Sequence, residues 1–182
     1  MQDGRVNVLT YTLDDVVATL NAVLPYDWAS FLRDRVEATS AEPPLDGLAR
    51  AGWKLVYTEE PNAVAAASVR GPAGASLAYS LGMSLGADNK IGEVLWNGPA
   101  FKAGLAPGMV VLGINDEAAT PDRLTDAVKA AKKGTAPIVL LVNSFDHIST
   151  VKIDYHGGLR NPHLERITGT PDRLSQIHAA KK

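Results

Sequence analysis

The chain has 182 residues, a formal net charge of −2, no cysteine and 46% hydrophobic residues. A charge so close to neutral provides no basic surface for DNA, RNA or anionic lipid, so the sequence predicts no nucleic-acid partner and no membrane partner. The lack of cysteine excludes disulfides, and no apolar run approaches the ~18 residues of a membrane-spanning helix. Length and composition predict one domain with an ordinary core and appended segments.

The first fifty residues contain two predicted amphipathic helices. Residues 5–11 have strand character but no obvious hairpin partner. Thr12 is placed to cap a first helix, which Pro25 ends, and Asp27 is placed to cap a second. Their apolar residues are Leu13, Val16, Val17, Leu20, Val23 and Leu24 in the first helix and Trp28, Phe31, Leu32 and Val36 in the second. Two such faces need a surface to cover, either within this chain, on a larger body or on a second copy.

The run from Tyr79 to Gly86 is the most informative stretch of the chain. Gly82 predicts a tight turn whose backbone N–H groups can hold a carboxylate. The strand predicted after it, residues 83–85, would offer an open edge that an extended peptide can join. This stretch therefore favours ligand capture over bond cleavage.

The elements predicted downstream form a regular series. The best-defined is a helix that Thr120 caps, that Pro121 begins and that ends before Gly134, since its apolar residues repeat at helical spacing. These residues are Leu124, Ala127, Val128 and Ala131. The predicted strands span residues 91–96, 109–115, 137–143 and 147–155, and the small-residue segment 97–108 has room for one short helix.

Motifs in this order resemble a PDZ domain of the bacterial protease-associated type, over roughly residues 53–155. Gly82 matches the glycine of the carboxylate-binding loop, residues 99–104 match a small-residue turn, and residues 108–115 match the strand after it. Met109 and Asp116 stand where the family usually has Asp and Gly, and Asp116 would have to adopt a turn conformation that Asp tolerates. The resemblance implies an α+β fold, a PDZ-like, partly open antiparallel β-barrel or sandwich of five to six strands with two helices, preceded by a small helical segment.

The same resemblance implies a peptide groove. The candidate peptide-binding residues are Leu81, Gly82, Met83, Ser84, Leu85, Pro121, Thr125 and Val128. The backbone of the first three would hold a terminal carboxylate, while Leu81, Met83 and Val128 would form the pocket for the terminal side chain. Pro121 and Thr125 would border the next accessible side chain of the ligand. The alternative is that the three pocket residues belong to the core, because a pocket wall and a core have the same composition.

Phrases on both sides of this unit resemble the glycyl aminopeptidases, a family of zinc metallopeptidases. They lie at residues 11–17, 20–23, 25–28, 52–57, 154–160, 162–167 and 169–174. The resemblance implies a C-terminal fragment of such an enzyme, with residues 1–50 as the helical end of a truncated catalytic domain, 51–155 as the PDZ-like domain and 156–182 as a tail. Residues 156–170 are predicted to be irregular, and a short helix is predicted from Thr170 and Pro171 to Ile177. The tail is either a clasp onto the missing catalytic domain or a loosely packed terminus.

That family binds zinc with a His-Glu-x-x-His helix, and this chain has no such motif. Its histidines are His147, His156, His163 and His178, and no two of them are four residues apart. The first is predicted at a strand start, the next two in the packing of the tail, and the last on the terminal helix. There is no Gly-x-Ser-x-Gly motif, and the Gly-rich segment 71–74 predicts a hairpin connection, since it lacks the Gly-Lys-Ser/Thr ending of a phosphate loop. We expect no catalytic residue, no metal ligand and no cofactor in this chain, with zinc in the catalytic domain of a parent protein.

Three functions from different classes stay open. The chain is a non-catalytic accessory module that captures an extended peptide, a protein C-terminus or a segment of its parent by strand addition. Alternatively, it is a structural brace for the parent catalytic domain with an unused groove, or it is an independent enzyme with an unrecognised site. Self-association through the N-terminal helices is a further option. Composition leaves the compartment open, while the resemblance favours the bacterial periplasm or cell envelope.

Overall fold

The computed structural model describes residues 10–39, 43–64 and 74–180. It divides into two compact units, Met1–Gly47 and Leu48–Lys182. The strand predicted in residues 5–11 and the hairpin connection predicted in residues 71–74 fall largely outside the described residues. Within those ranges, no helix has the length and apolar character needed to cross a membrane.

The first unit contains the two predicted helices, α1 (Leu13–Val23) and α2 (Trp28–Val36), which pack against each other. The hydroxyl of Thr12 accepts a hydrogen bond from the Asp15 backbone N–H, and the Asp15 carboxylate accepts one from the Thr12 N–H in return. The carboxylate of Asp27 accepts a hydrogen bond from the Ser30 N–H. Both predicted N-caps are therefore confirmed. Neither helix has a fully buried residue.

The second unit carries the remaining elements. The helices are α3 (Asp46–Arg50), which spans the division, α4 (Pro99–Lys102), α5 (Pro121–Ala131) and α6 (Arg173–His178). The strands are β1 (Trp53–Thr58), β2 (Ala75–Leu77), β3 (Met83–Leu85), β4 (Ile91–Val94), β5 (Val110–Ile114), β6 (Glu117–Ala118), β7 (Ile138–Ser144), β8 (His147–Ile153) and β9 (Asn161–Arg166). The strands and helices predicted between residues 91 and 155 are confirmed with small changes at their ends.

The described strands form three antiparallel sheets, and an antiparallel bridge between Lys90 and Val110 joins the second to the third. Their orders are β1-β9, β2-β3-β4 and β6-β5-β7-β8. The predicted α+β class is confirmed. A partly open barrel or sandwich of five to six strands was expected, and the described part of the chain has nine strands in open antiparallel sheets with no closed barrel.

The C-terminal segment is more ordered than its sequence predicts. Residues 161–166 form β9, which pairs with β1 along its whole length. The prediction of an irregular segment was wrong. The strand forms by pairing with β1, which is more than a hundred residues away, and the local sequence does not show that pairing. The last helix begins at Arg173, after an Asp172 cap, and not at Thr170 and Pro171. The Asp172 carboxylate accepts hydrogen bonds from the Ser175 N–H at 3.0 Å and from the Trp53 indole at 2.9 Å, which together hold its pKa below the usual 3.8.

Helix α5 contributes one face to the core of the second unit. The Thr120 hydroxyl accepts a hydrogen bond from the Arg123 N–H, and Pro121 occupies the first turn, as predicted. Its predicted apolar face is buried at Leu124, Ala127, Val128 and Ala131. This face belongs to one hydrophobic cluster with the inner residues of the sheets, which include Leu77, Leu81, Met83, Leu85, Ile91, Val111, Ile114, Ile138, Leu140, Val142 and Ile153. The helix and the short strands around it define the position of the candidate groove.

Candidate peptide groove

The turn before β3 has the conformation that the sequence predicts, but its amides already have a partner. Gly82 has a φ of +73°, which a residue with a side chain adopts at a cost. The N–H groups of Ser80 and Gly82 both donate to the carbonyl oxygen of Leu77, each at 3.0 Å. A backbone carbonyl of the same chain therefore occupies the Gly82 N–H, one of the three backbone groups that the sequence analysis assigned to a ligand carboxylate.

Strand β3 has a neighbour on each side. On one side Ala75, Ser76 and Leu77 of β2 stand opposite residues 85, 84 and 83. On the other side β4 pairs with residues 83 and 85. Since a strand has only two edges, an added peptide finds no open edge at β3. The expectation of an open edge is corrected for this reason.

Strand β2 also packs against helix α5. It therefore lies between β3 and the helix, in the space where the sequence analysis placed an extended guest. The side chain of Leu77 is only 5% exposed and belongs to the cluster that contains Val128. The groove is thus filled by the segment that precedes the loop.

The predicted pocket residues form part of the core. Leu81 and Val128 are fully buried, Met83 and Leu85 are 1% exposed, and Gly82 is also buried. The apolar residues of this set belong to one hydrophobic cluster, which also contains Leu77. This burial corresponds to the alternative that the sequence analysis left open.

The remaining three candidates lie nearer the surface. Ser84 is half-buried, and its hydroxyl accepts a hydrogen bond from the Glu93 N–H at 3.0 Å. Pro121 and Thr125 are also half-buried, and the Thr125 hydroxyl donates to the Pro121 carbonyl at 3.0 Å. Both hydroxyls therefore have partners within the fold.

An open surface depression that the sequence did not indicate lies at the other end of β2 and β3. Its volume is about 730 Å³. Its lining includes Gly74, Ser76, Ser84, Asp88 and Lys90. Small and polar residues on a short sheet have no recognisable sequence pattern, so only the folded chain reveals this depression.

The C-terminal segment is attached to the loop of the groove. Ser80 is buried, and its hydroxyl accepts a hydrogen bond from the Arg160 N–H at 3.0 Å. The guanidinium of Arg160 lies 4.5 Å from the ring centre of Tyr57, and that ring lies 5.4 Å from the ring of Tyr79. Sequence reasoning missed Ser80, since a loop serine carries no signal of a partner eighty residues away. The segment up to β9 is not a loosely packed terminus.

A second attachment joins the same segment to the end of α5. The His156 ring is 2.8 Å from the Ala131 carbonyl through Nδ1 and 3.0 Å from the Asp154 carboxylate through Nε2. The Ala131 carbonyl raises the pKa of His156 above 6.5, and the Asp154 carboxylate adds to that effect. Next to it, the Tyr155 hydroxyl donates to the Gly158 carbonyl at 2.9 Å, and burial raises the pKa of Tyr155 above 10.

The other histidines lie as predicted. His147 is exposed at the first position of β8, and His178 ends α6. His163 lies in β9, where its Nε2 is 2.8 Å from the Glu60 carbonyl. Across residues 10–39, 43–64 and 74–180, no group of three or more His, Cys, Asp or Glu residues is arranged to hold a metal ion.

The comparisons with known proteins find matches among solved structures. No family model and no curated protein matches this sequence. A solved structure of an aminopeptidase N family protein from Idiomarina loihiensis is similar over 93% of this chain, with a TM-score of 0.56 and 18% sequence identity. A PDZ domain of HtrA3 bound to a phage-derived ligand (FGRWV) matches 63% of this chain and 91% of its own length, with a TM-score of 0.31 and 14% identity. This chain spans 29% of the length of the Idiomarina protein, and its likeness to that protein is one of fold.

Proposed function

We propose that this chain is a non-catalytic accessory region of a larger aminopeptidase-like protein, and that its PDZ-like unit is a structural brace. The fold of almost the whole chain is similar to 29% of a longer aminopeptidase N family protein. The phrases that resemble glycyl aminopeptidases lie on both sides of the PDZ-like unit. In this proposal the zinc ion and the catalytic residues belong to the catalytic domain of the parent, which is of the glycyl aminopeptidase type.

The observation that supports a brace is the position of β2 between β3 and α5. An open groove would leave apolar side chains of both elements exposed until a guest arrived. Here Leu77 covers them, and its carbonyl satisfies the Ser80 and Gly82 amides. A filled groove adds buried apolar area and hydrogen bonds to the resting fold, and these stabilise it without a ligand.

The C-terminal contacts support the same proposal. The hydrogen bonds from the Arg160 N–H to the Ser80 hydroxyl and from the His156 ring to the Ala131 carbonyl fasten the last segment to both the loop and the helix of the groove. A module that must open for peptides would not need its loop tied down from outside. A structural brace is made more rigid by such contacts, because each of them reduces the motion of the helix and strands that the brace presents to the rest of the protein.

A titration tests the brace against peptide capture. The ¹⁵N-labelled chain is mixed with peptides that end in a free carboxylate, and the amide signals of residues 81–85 and 121–128 are followed. We expect no shifts up to about 1 mM peptide, a limit that corresponds to roughly 4 kcal/mol of binding free energy. Saturable shifts confined to those two segments would overturn the brace and favour capture.

An activity assay tests the non-catalytic part of the proposal. The chain is incubated with glycyl aminopeptidase substrates, with and without added zinc, and the products are quantified. We expect no turnover above the protein-free control. Turnover that depends on the chain would identify it as an enzyme in its own right.

A further inference from the structure

We infer that the free edge of strand β8 pairs antiparallel with β8 of a second copy of this chain. The pairing would join two four-stranded sheets into one sheet of eight strands. This interface lies outside the groove and does not depend on the proposed brace. Three features of β8 support it, namely its place in the sheet, the backbone groups on its outer edge and the charges at the two ends of that edge.

Strand β8 forms the outer edge of its sheet. It is the last strand in the order β6-β5-β7-β8, and no other described strand pairs with its second edge. β8 has seven residues and pairs with β7 along its whole length without a bulge. The strand at the opposite end of the sheet, β6, has only two residues. β8 is therefore the longer of the two edges of this sheet.

The hairpin that begins β8 shows which backbone groups lie on the free edge. The loop between β7 and β8 is two residues long, so Ser144 and His147 form the hydrogen-bonded pair that closes it. Hydrogen-bonded and non-hydrogen-bonded pairs alternate along an antiparallel ladder. The N–H and C=O groups that point away from β7 are therefore those of Ile148, Thr150 and Lys152. A further strand would use these donors and acceptors.

The edge of β8 lacks most of the features that keep exposed edges from pairing. Proteins block such edges with proline, bulges, several charged residues or very short strands. β8 has no proline, and Lys152 is its only Asp, Glu, Lys or Arg residue. Ile148 is 58% exposed, and Thr150 is exposed next to it on the same face of the sheet. An edge of this length and composition favours pairing with another strand.

Charges of opposite sign lie at the two ends of this edge and identify the partner. Asp146 directly precedes β8, and Lys152 lies near its end. Neither side chain forms an ion pair with another described residue. In an antiparallel pair of identical strands, the start of each strand meets the end of the other, so an acid and a base at opposite ends attract each other twice. The edge is therefore complementary in charge to a second copy of itself.

The same charges select the register of the pair. With Ser149 on the two-fold axis, Lys152 of each copy lies directly opposite Asp146 of the other. With Thr150 on the axis, Asp146 would instead lie opposite Asp154, and like charges directly opposite each other are destabilising. The register with Ser149 on the axis is therefore preferred.

Amide hydrogen exchange of the native full chain tests where two copies meet. One strand edge buries less area than a standard interface of ~1,600 Å², so we expect a weak dimer with a Kd on the order of 100 μM. When the chain concentration rises from about 10 μM to about 1 mM, exchange at Ile148 and Thr150 should slow by about fourfold, because most of the chain becomes dimeric. Exchange in α1 and α2 should not change, since these helices belong to the other unit and lie outside the interface.

Sedimentation equilibrium of charge variants tests the register. Asp146→Lys and Lys152→Asp each place like charges opposite each other at two points of the dimer, and we expect each to raise the Kd at least about tenfold. The double variant restores opposite charges, so its Kd should return to within about threefold of the native value. Asp126→Lys and Lys129→Asp are the matched controls, because they change the net charge equally at an exposed pair on α5. Neither control should change the Kd.

Pairing through β8 is supported if both single variants weaken self-association, the double variant recovers it, and Thr150 becomes protected at high concentration. A native chain that stays monomeric up to about 1 mM would overturn the inference. Self-association that leaves exchange at Ile148 and Thr150 unchanged would also overturn it, and this result needs no variant that folds. Single variants that dimerise like the native chain, with native amide signals from α5, would overturn it as well.

Discussion

Replacement of Leu77 by alanine measures how much β2 contributes to the fold. The side chain is 5% exposed and belongs to the cluster that contains Val128. The substitution removes three carbon atoms, which at about 0.8 kcal/mol per buried methylene corresponds to a loss of ~2.4 kcal/mol. The cavity left behind adds to this loss, because the surrounding core relaxes only in part. We expect a decrease of about 2.5–4 kcal/mol in the free energy of unfolding.

The assay is urea unfolding followed by the amide signals of α5. Signals from this helix report the second unit separately from the helical unit at the N-terminus, which matters because two units need not unfold in one step. Leu141→Ala is the matched control, since that leucine is 41% exposed on the outer face of β7. We expect it to cost about 1 kcal/mol, because its replacement leaves no closed cavity.

A small loss of stability in Leu77→Ala would mean that β2 is not part of the core. If β2 were only loosely docked, it could detach while the rest of the unit stayed folded. The decrease in the free energy of unfolding could then not exceed the small free energy of docking β2. A value near that of Leu141→Ala would therefore mean that β2 does not complete the core. The brace would then lack its physical basis.

Three further predictions concern the loop and the segment attached to it. Gly82→Ala should destabilise the second unit by about 1–2 kcal/mol in urea unfolding. The φ of Gly82 is +73°, and the new Cβ would lie 3.3 Å from the Cα of Gly98. An unchanged urea midpoint would contradict that backbone conformation. Ser80→Ala should lower the free energy of unfolding by about 1–3 kcal/mol and speed hydrogen exchange of the Arg160 amide, since it removes the buried acceptor of that N–H. An Arg160 amide that stays protected would contradict this, because it would have another acceptor. The bond to Ala131 raises the folded-state pKa of His156 above 6.5, so its stabilisation should be complete below about pH 6.5 and lost as the pH rises through the higher folded value. His156→Gln should abolish this pH dependence, and a chemical-shift titration of His156 at or below pH 6.5 would contradict the assignment.

The sequence predicted those parts of the fold whose signals are local. The cap at Thr120, the proline after it and the helical repeat of apolar residues are adjacent in the chain, so α5 could be identified from them. The caps at Thr12 and Asp27 are equally local. Asp116 has a φ of +68°, as expected for the residue that replaces the usual turn glycine.

The sequence could not predict the features that depend on distant partners. Strand β9 exists because Trp53 to Thr58 pair with it, and nothing in residues 161–166 indicates that pairing. Strand β2 has three residues, too few for a recognisable alternation. Its place between β3 and α5 is set by the packing of Leu77 and by the close approach at Gly74.

The candidate groove also combines residues with a local sequence signal and features that depend on distant partners. The order of motifs in a PDZ-like unit led to the grouping of Leu81, Met83 and Val128, and all three lie in one hydrophobic cluster. The sequence could not decide between a pocket and a core, since apolar residues serve both. That decision depends on what lies against them, and in this structure Leu77 does.

Amide hydrogen exchange at Gly82 in the peptide-free chain tests the central claim most directly. This N–H donates to the Leu77 carbonyl, so it reports whether β2 occupies the groove at rest. We expect slow exchange in the native chain and faster exchange in Gly74→Ala, where a Cβ would overlap the Leu85 carbonyl oxygen, with no change in Gly134→Ala, where the nearest atom is 4.0 Å away. Exchange at Gly82 as fast as in the unfolded chain, with α5 still protected, would show an empty groove and contradict the account.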